Sequence, residues 1–313
     1  MRTLLTIGFV GMVLSLAQPA GAEHAIIATE HTIDANGMRL RIWEKSQGPT
    51  GGKPIVVLAH GSGTAGQESF DLQVDGKTDT SLMDVLAREG FDVFAPDVRG
   101  FGRSTHPDDG VTTEDAAADL VAVIGHVLRI RGASQVNVVA WSWGTQYAGL
   151  AVIAIPQNIA RYVSYAQMHA QSPDVVKRRE RLDEFRSRAY MTIPETGWTK
   201  RFASMTPDDC NDPDIVAQFA KSAAAIEKTT PAGPQIDMTT RLPMVDAAKI
   251  TVPALIIHGQ YDDVADAQGL LPFFAALPSP VKSYVIVPGG GHMAHLQNGR
   301  VTLQRHIVAF LKP

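Results

Sequence analysis

The stretch that most constrains the fold is residues 136–153. An apolar run from Val136 to Ala140 meets Trp141-Ser142-Trp143-Gly144 and passes directly into a helical pattern from Thr145. A strand that turns so sharply into a helix needs small residues close to the turn. Ala140 and Gly144 supply them, two before and two after Ser142. Such a unit also commits the chain to crossover connections, and so to a largely parallel sheet.

The rest of the pattern agrees. Residues 55–59 form a continuous apolar run of the kind buried on both faces, ending at His60-Gly61-Ser62-Gly63. Further strands are expected at 91–95, 161–166, 254–257 and 283–287, with helices at 81–89, 113–130 and 301–311, the second opened by a Thr112 or Thr113 cap. Residues 24–43 alternate around Asn36-Gly37 and predict a hairpin. The fold class is α/β, a mostly parallel central sheet with helices on both faces. Between residues 168 and 244 the strand pattern lapses. Helices are expected at 174–190 and 213–227, with turn-rich joints at Pro194, Pro207, Pro231 and Pro234. We read 168–244 as a helical cap inserted into a core of residues 23–167 and 245–313.

Residues 1–22 read as a cleaved secretory signal: Arg2, an apolar run from Leu4 to Leu16, and Ala20-Gly21-Ala22 before Glu23. That run is too short to span a bilayer. The expected location is therefore exported, periplasmic or secreted, with no stable membrane insertion. A single cysteine, Cys210, excludes an intrachain disulfide. The net charge of −4 argues against a nucleic-acid partner. The densest basic run, Lys177-Arg178-Arg179, is interleaved with Glu180, Asp183 and Glu184 and reads as a solvated helix face. No metal or other cofactor is implied; His292 and His295, three apart, lack a third ligand at metal spacing.

A serine hydroxyl becomes a nucleophile when a base, a carboxylate that orients the base, and donors for the developing oxyanion are brought to it. The candidates are Ser142 as nucleophile, His292 as base and Asp262 as acid. His295 competes with His292, and Asp263 and Asp266 compete with Asp262. Four motifs in order, His60-Gly61-Ser62-Gly63, Asp97-Val98-Arg99-Gly100-Phe101-Gly102-Arg103-Ser104, Ala140-Trp141-Ser142-Trp143-Gly144, and the pair Gly259-Gln260-Tyr261-Asp262 with Gly289-Gly290-Gly291-His292, resemble those of the α/β-hydrolase fold family. Ala140 departs from the family's usual glycine. The resemblance implies oxyanion donors at the Ser62 and Trp143 amides and a scaffolding role for the Asp97 segment. It also implies a carboxylic ester or lactone hydrolase acting on a small-molecule acyl substrate, which the signal-like residues 1–22 would make an exported one. His60, Trp141, His169, Tyr190 and Trp198 are candidates for a mainly apolar substrate pocket. Serine at the elbow argues against epoxide hydrolases and haloalkane dehalogenases, which use aspartate there. The Ser142-Trp143-Gly144 run is also similar to that of prolyl aminopeptidases, so an aminopeptidase or amidase is the alternative, and a non-catalytic binding protein of the same fold is another.

Overall fold

A computed structural model describes residues 24–169 and 172–312; the expected signal at 1–22 lies outside them. The strands are β1 (Ile26–Ala35), β2 (Met38–Gln47), β3 (Ile55–Ala59), β4 (Asp92–Pro96), β5 (Val136–Trp141), β6 (Ile159–Tyr165), β7 (Tyr190–Met191), β8 (Thr230–Pro231), β9 (Ala254–Gly259) and β10 (Lys282–Val287). The helices are α1 (Gly66–Phe70), α2 (Leu82–Arg88), α3 (Thr113–Arg131), α4 (Gly144–Ala154), α5 (Pro173–Arg179), α6 (Leu182–Arg186), α7 (Glu195–Met205), α8 (Pro213–Ile226), α9 (Gly233–Thr240), α10 (Ala267–Ala276) and α11 (Arg300–Leu311).

Eight strands form one sheet in the order β1-β2-β4-β3-β5-β6-β9-β10. The β1-β2 hairpin turns at Asn36 and Gly37, both in the left-handed region that a two-residue turn of this kind demands. From β4 to β10 every pairing is parallel, while β2 meets β4 antiparallel. Every residue of β3, β4, β5 and β9 is buried, so both faces of the sheet's centre are covered. On one side α3 packs on α4, and elsewhere α2 packs on β2 and α11. Helix α3 begins with a complete capping box, in which Thr112 and Asp115 satisfy each other's backbone.

The chain leaves β3 toward β4 on one side, and β5 then forms on the other side of β3. This reversal opens a crevice at the carboxyl ends of β3 and β5, where ligands of open α/β sheets bind. Register finishes the work. Ala59 stands beside Ala140, Trp141 beside Tyr165, Tyr165 beside Ile257, and Gly259 beside Val287. The loops that follow all emerge along one edge.

The segment between β6 and β9 carries α5 to α9, and it differs from the sequence expectation in three ways. The single helix expected at 174–190 is two, α5 and α6, separated by a tight turn in which Arg181 N–H donates to the Arg178 carbonyl (3.0 Å). A two-residue ribbon, β7 with β8, lies where no strand was expected; it is too short to show alternation. Helices α7 and α9 occupy stretches read as joints. Pro194 precedes the first turn of α7 and Pro234 lies within the first turn of α9, where a missing N–H costs nothing.

Candidate active site

Ser142 stands at the end of β5 with φ +58°, a left-handed conformation rare for a residue with a side chain. The neighbours over-determine it. Its N–H donates to the Tyr165 carbonyl (3.0 Å), and its carbonyl accepts from Thr145 N–H (2.9 Å) and Thr145 Oγ1 (2.6 Å). A Cβ at position 144 would fall 2.4 Å from the Ala59 carbonyl oxygen, so only glycine lets α4 start so close to β3.

This turn aims Ser142 Oγ at His292 Nε2, 2.7 Å away. His292 Nδ1 lies 3.1 and 3.2 Å from the two Asp262 carboxylate oxygens. Asp262 Oδ1 also accepts from the Val264 and Ala265 amides (2.9 and 3.0 Å), which lock the carboxylate's direction. With Nδ1–H donating to Asp262, Nε2 keeps a lone pair for the serine proton. All three side chains are buried. The competitors do other work. Asp266 caps α10, its carboxylate accepting from Gly269 N–H (2.9 Å), and Asp263 faces Lys177 at 3.9 Å. His295 lies behind Trp141, ring centroids 4.6 Å apart, and its Nδ1 pairs with the Tyr165 hydroxyl at 3.0 Å. Burial pushes its pKa down to about 3, so it stays neutral.

The His60-Gly61-Ser62-Gly63 loop crosses directly over the elbow: a Cβ on Gly61 would stand 3.3 Å from Ser142 Cβ. Ser62 Oγ accepts from Gln235 Nε2 of α9 (3.0 Å), which ties the loop to the segment above it. Among the described residues, the Ser62 and Trp143 amides donate to no backbone acceptor. The Trp143 indole itself is fully buried and donates to Thr113 Oγ1 (3.0 Å).

A family model described as the alpha/beta hydrolase family matches residues 56–304. The chain belongs to this family. Among curated proteins, epoxide hydrolase A of Mycobacterium tuberculosis is 34% identical over 118 residues, which are 37% of this chain and 31% of that protein. The chain thus matches under a third of that relative's length. The non-heme chloroperoxidase of Streptomyces lividans is 28% identical over 291 residues, 87% of this chain and 96% of the relative. Among solved structures, the 2-hydroxy-6-oxo-6-phenylhexa-2,4-dienoate hydrolase of Rhodococcus sp. strain RHA1 aligns with a TM-score of 0.70 at 18% identity, covering 92% of this chain and all of that one. An esterase from Thermogutta terrifontis has a TM-score of 0.67 at 19% identity, with 91% and 98% covered. At these identities the solved structures speak for the fold.

In this alpha/beta hydrolase the Asp97 segment is scaffold. Asp97 accepts from Gly66 N–H (3.0 Å) and Arg103 N–H (3.1 Å), and Arg99 forks onto Asp119 (2.6 and 2.9 Å). The five pocket candidates separate. His169 lines a cavity of about 890 Å³ beside Gln146, Met168, Met244, Pro272 and Phe273. Trp198, from α7, packs its ring against Gly63 and so roofs the loop beside the elbow. His60 is not part of the wall of that cavity. It is fully buried, with Nδ1–H donating to the Gly61 carbonyl (2.8 Å) and Nε2 accepting from Val98 N–H (3.3 Å), and burial brings its pKa down to about 4. Trp141 is likewise a buried support whose indole N–H donates to the His292 carbonyl (2.8 Å). Tyr190 lies elsewhere, stacked on His106 and donating to the Pro107 carbonyl (2.8 Å).

Three residues with no sequence signal complete the site. Met168 brings Sδ to 3.9 Å from Ser142 Oγ and also lines the large cavity, whose wall includes none of the three triad residues. Gln235 holds Ser62, and Arg201 sets Nη1 3.1 Å from where a Gly63 Cβ would be. Contacts to positions 173 and 138 residues away leave no local pattern to read. Among the described residues no helix is long and apolar enough to cross a membrane.

Proposed function

We propose that this protein is an exported serine hydrolase that cleaves an ester or lactone of a small molecule through an acyl-enzyme. The observation that carries the reading is the 2.7 Å approach of Ser142 Oγ to His292 Nε2, with Asp262 behind the imidazole. Ser142 Oγ attacks the acyl carbonyl while His292 Nε2 takes its proton, and Asp262 stabilises the resulting imidazolium. The Ser62 and Trp143 amides receive the developing oxyanion. Collapse expels the alcohol, protonated by His292, and water then repeats the sequence to release the acid. No cofactor takes part. The apolar side chains of Met168, Met244, Pro272 and Phe273 around the 890 Å³ cavity support a largely apolar acyl group. Export rests on the signal-like residues 1–22.

The test is the Ser142→Ala variant on a short-chain aryl ester. Turnover is expected to fall by roughly 10⁴-fold or more. Labelling by a fluorophosphonate probe is expected to vanish in the same variant. An unchanged rate excludes the mechanism.

The similarity to a chloroperoxidase over most of the chain favours a second reaction of the same groups. Hydrogen peroxide in place of water would attack the acyl-enzyme and leave as a peracid. Peracid formation from acetate and hydrogen peroxide, compared with ester hydrolysis, decides between them.

A further inference from the structure

His292 stands on a loop with few side chains to hold it. Gly289, Gly290 and Gly291 precede it, and the first has φ +67°. The Asp262 carboxylate fixes one end of the imidazole, at Nδ1. The backbone of His292 is fixed separately, by two side chains of the sheet. The indole N–H of Trp141 and the hydroxyl of Tyr165 both donate to the His292 carbonyl, at 2.8 and 3.0 Å. Both donors are buried, and they stand side by side at the ends of β5 and β6.

Tyr165 reaches the nucleophile as well. Its own carbonyl accepts from Ser142 N–H (3.0 Å), one of the bonds that keep the serine left-handed. The next residue, Ala166, also has a left-handed φ of +55°, with its N–H donating to the Ile257 carbonyl (2.8 Å). Among the described residues only Asn36, in the hairpin turn, shares that conformation without being glycine. Two strained residues therefore meet at one tyrosine, and such strain persists only where the surroundings over-determine it.

The Tyr165 hydroxyl has one proton and three polar neighbours. A carbonyl can only accept, so the proton goes to His292. The His295 N–H (3.2 Å) and Nδ1–H (3.0 Å) then donate to Tyr165 Oη. The opposite order would leave two oxygens facing each other at 3.0 Å with no proton between them. Burial holds the Tyr165 pKa well above its usual value and brings that of His295 down to about 3, so both groups stay neutral.

We propose that Tyr165 is a positioning residue for both partners of the proton transfer, and that His295 acts through it. The tether runs from His295 Nδ1–H to the Tyr165 hydroxyl to the His292 carbonyl and fixes where the imidazole stands, while the Tyr165 carbonyl fixes the serine. A phenylalanine would fill the same space, so packing requires only the ring. The hydroxyl, buried and fully bonded, serves the histidine loop. Hydrogen bonds in series polarise one another and so strengthen the anchor. Because the tether holds the backbone of His292 and does not reach the substrate, it governs turnover and leaves substrate affinity alone. The proposal rests on Ser142 and His292 being the reacting pair.

The experiment measures kcat and KM on p-nitrophenyl butyrate for wild type, Ser142→Ala, Tyr165→Phe, His295→Leu, His295→Asn and the double variant Tyr165→Phe/His295→Leu. Tyr165→Phe is expected to lower kcat roughly 10- to 100-fold with KM within about twofold of wild type. His295→Leu is expected to lose a similar factor, and His295→Asn, whose amide still reaches toward Tyr165, to recover part of it. The double variant falls no further than Tyr165→Phe alone, as residues acting in series require. Losses that multiply in the double variant, or equal losses in His295→Leu and His295→Asn, overturn the tether. Ser142→Ala separates the two readings. If it abolishes turnover while Tyr165→Phe keeps the wild-type kcat, the tether alone falls; if it keeps turnover, the reacting pair is refuted and the tether with it. Should Tyr165→Phe fail to fold, the contrast of His295→Leu with His295→Asn decides by itself.

Discussion

Replacing Glu227 by glutamine is expected to change how stability depends on pH. Glu227 ends α8, is almost fully buried, and accepts from Gly102 N–H of the Asp97 segment (3.0 Å), joining the cap-like helices to the core. Burial, then the charges of Glu68 and Asp97, push its pKa from the usual 4.5 up to about 9. At neutral pH the folded protein therefore holds a proton that the unfolded chain has released. Stability is unpenalised below pH 4.5 and declines as pH rises toward 9, by about 1.4 kcal/mol per pH unit. At pH 7 the cost is about 3 kcal/mol on this arithmetic. Glutamine keeps the acceptor for Gly102 and never ionises. Any fixed cost of a poorly satisfied amide, about 1–3 kcal/mol, is the same at every pH and cancels from the comparison. Between pH 5 and pH 8 the stability of Glu227→Gln relative to wild type should thus rise by about 4 kcal/mol. Urea unfolding followed by tryptophan fluorescence at four pH values measures it. Parallel profiles for the two proteins refute the buried, protonated carboxyl.

Three further outcomes test the site and its scaffold. Asp262→Asn is expected to lower kcat by roughly 10³- to 10⁴-fold on aryl esters, because an amide favours the wrong imidazole tautomer; steady-state kinetics read it. Gly144→Ala places a methyl 2.4 Å from the Ala59 oxygen, a backbone atom with nowhere to go, and should cost about 1–3 kcal/mol or more by chemical denaturation. Met168→Ala removes the side chain that both touches Ser142 and lines the 890 Å³ cavity. It should shift preference toward bulkier acyl chains while costing about 2–5 kcal/mol of stability, and unchanged chain-length selectivity would count against the cavity as the acyl site.

The sheet was legible because its strands are buried on both faces and read as unbroken apolar runs, as in β3 and β9. Legible too were Ser142, His292 and Asp262, each of which follows a strand. Parallel register then delivers them to one edge without further instruction. What stayed hidden depends on proline and on long-range contact. Pro194 and Pro234 look like joints yet open α7 and α9, and Pro272 sits inside α10 and conceals it. Tyr190 and Trp198 are eight residues apart in the same segment, and nothing local indicates that one anchors to Pro107 while the other covers Gly63. The motif around Ser62 points to its amide alone; its hydroxyl's link to Arg178 through Gln235 exists only in the folded chain.

The left-handed turn at Ser142 is enforced by Tyr165, Thr145 and the absent side chain of Gly144, none of which belongs to the serine. The scaffold therefore presents whatever side chain occupies position 142 to the same imidazole at the same angle. A single codon change to cysteine or aspartate would hand a different reagent to an unaltered mount, so new chemistry could arise here without any redesign of the architecture beneath it.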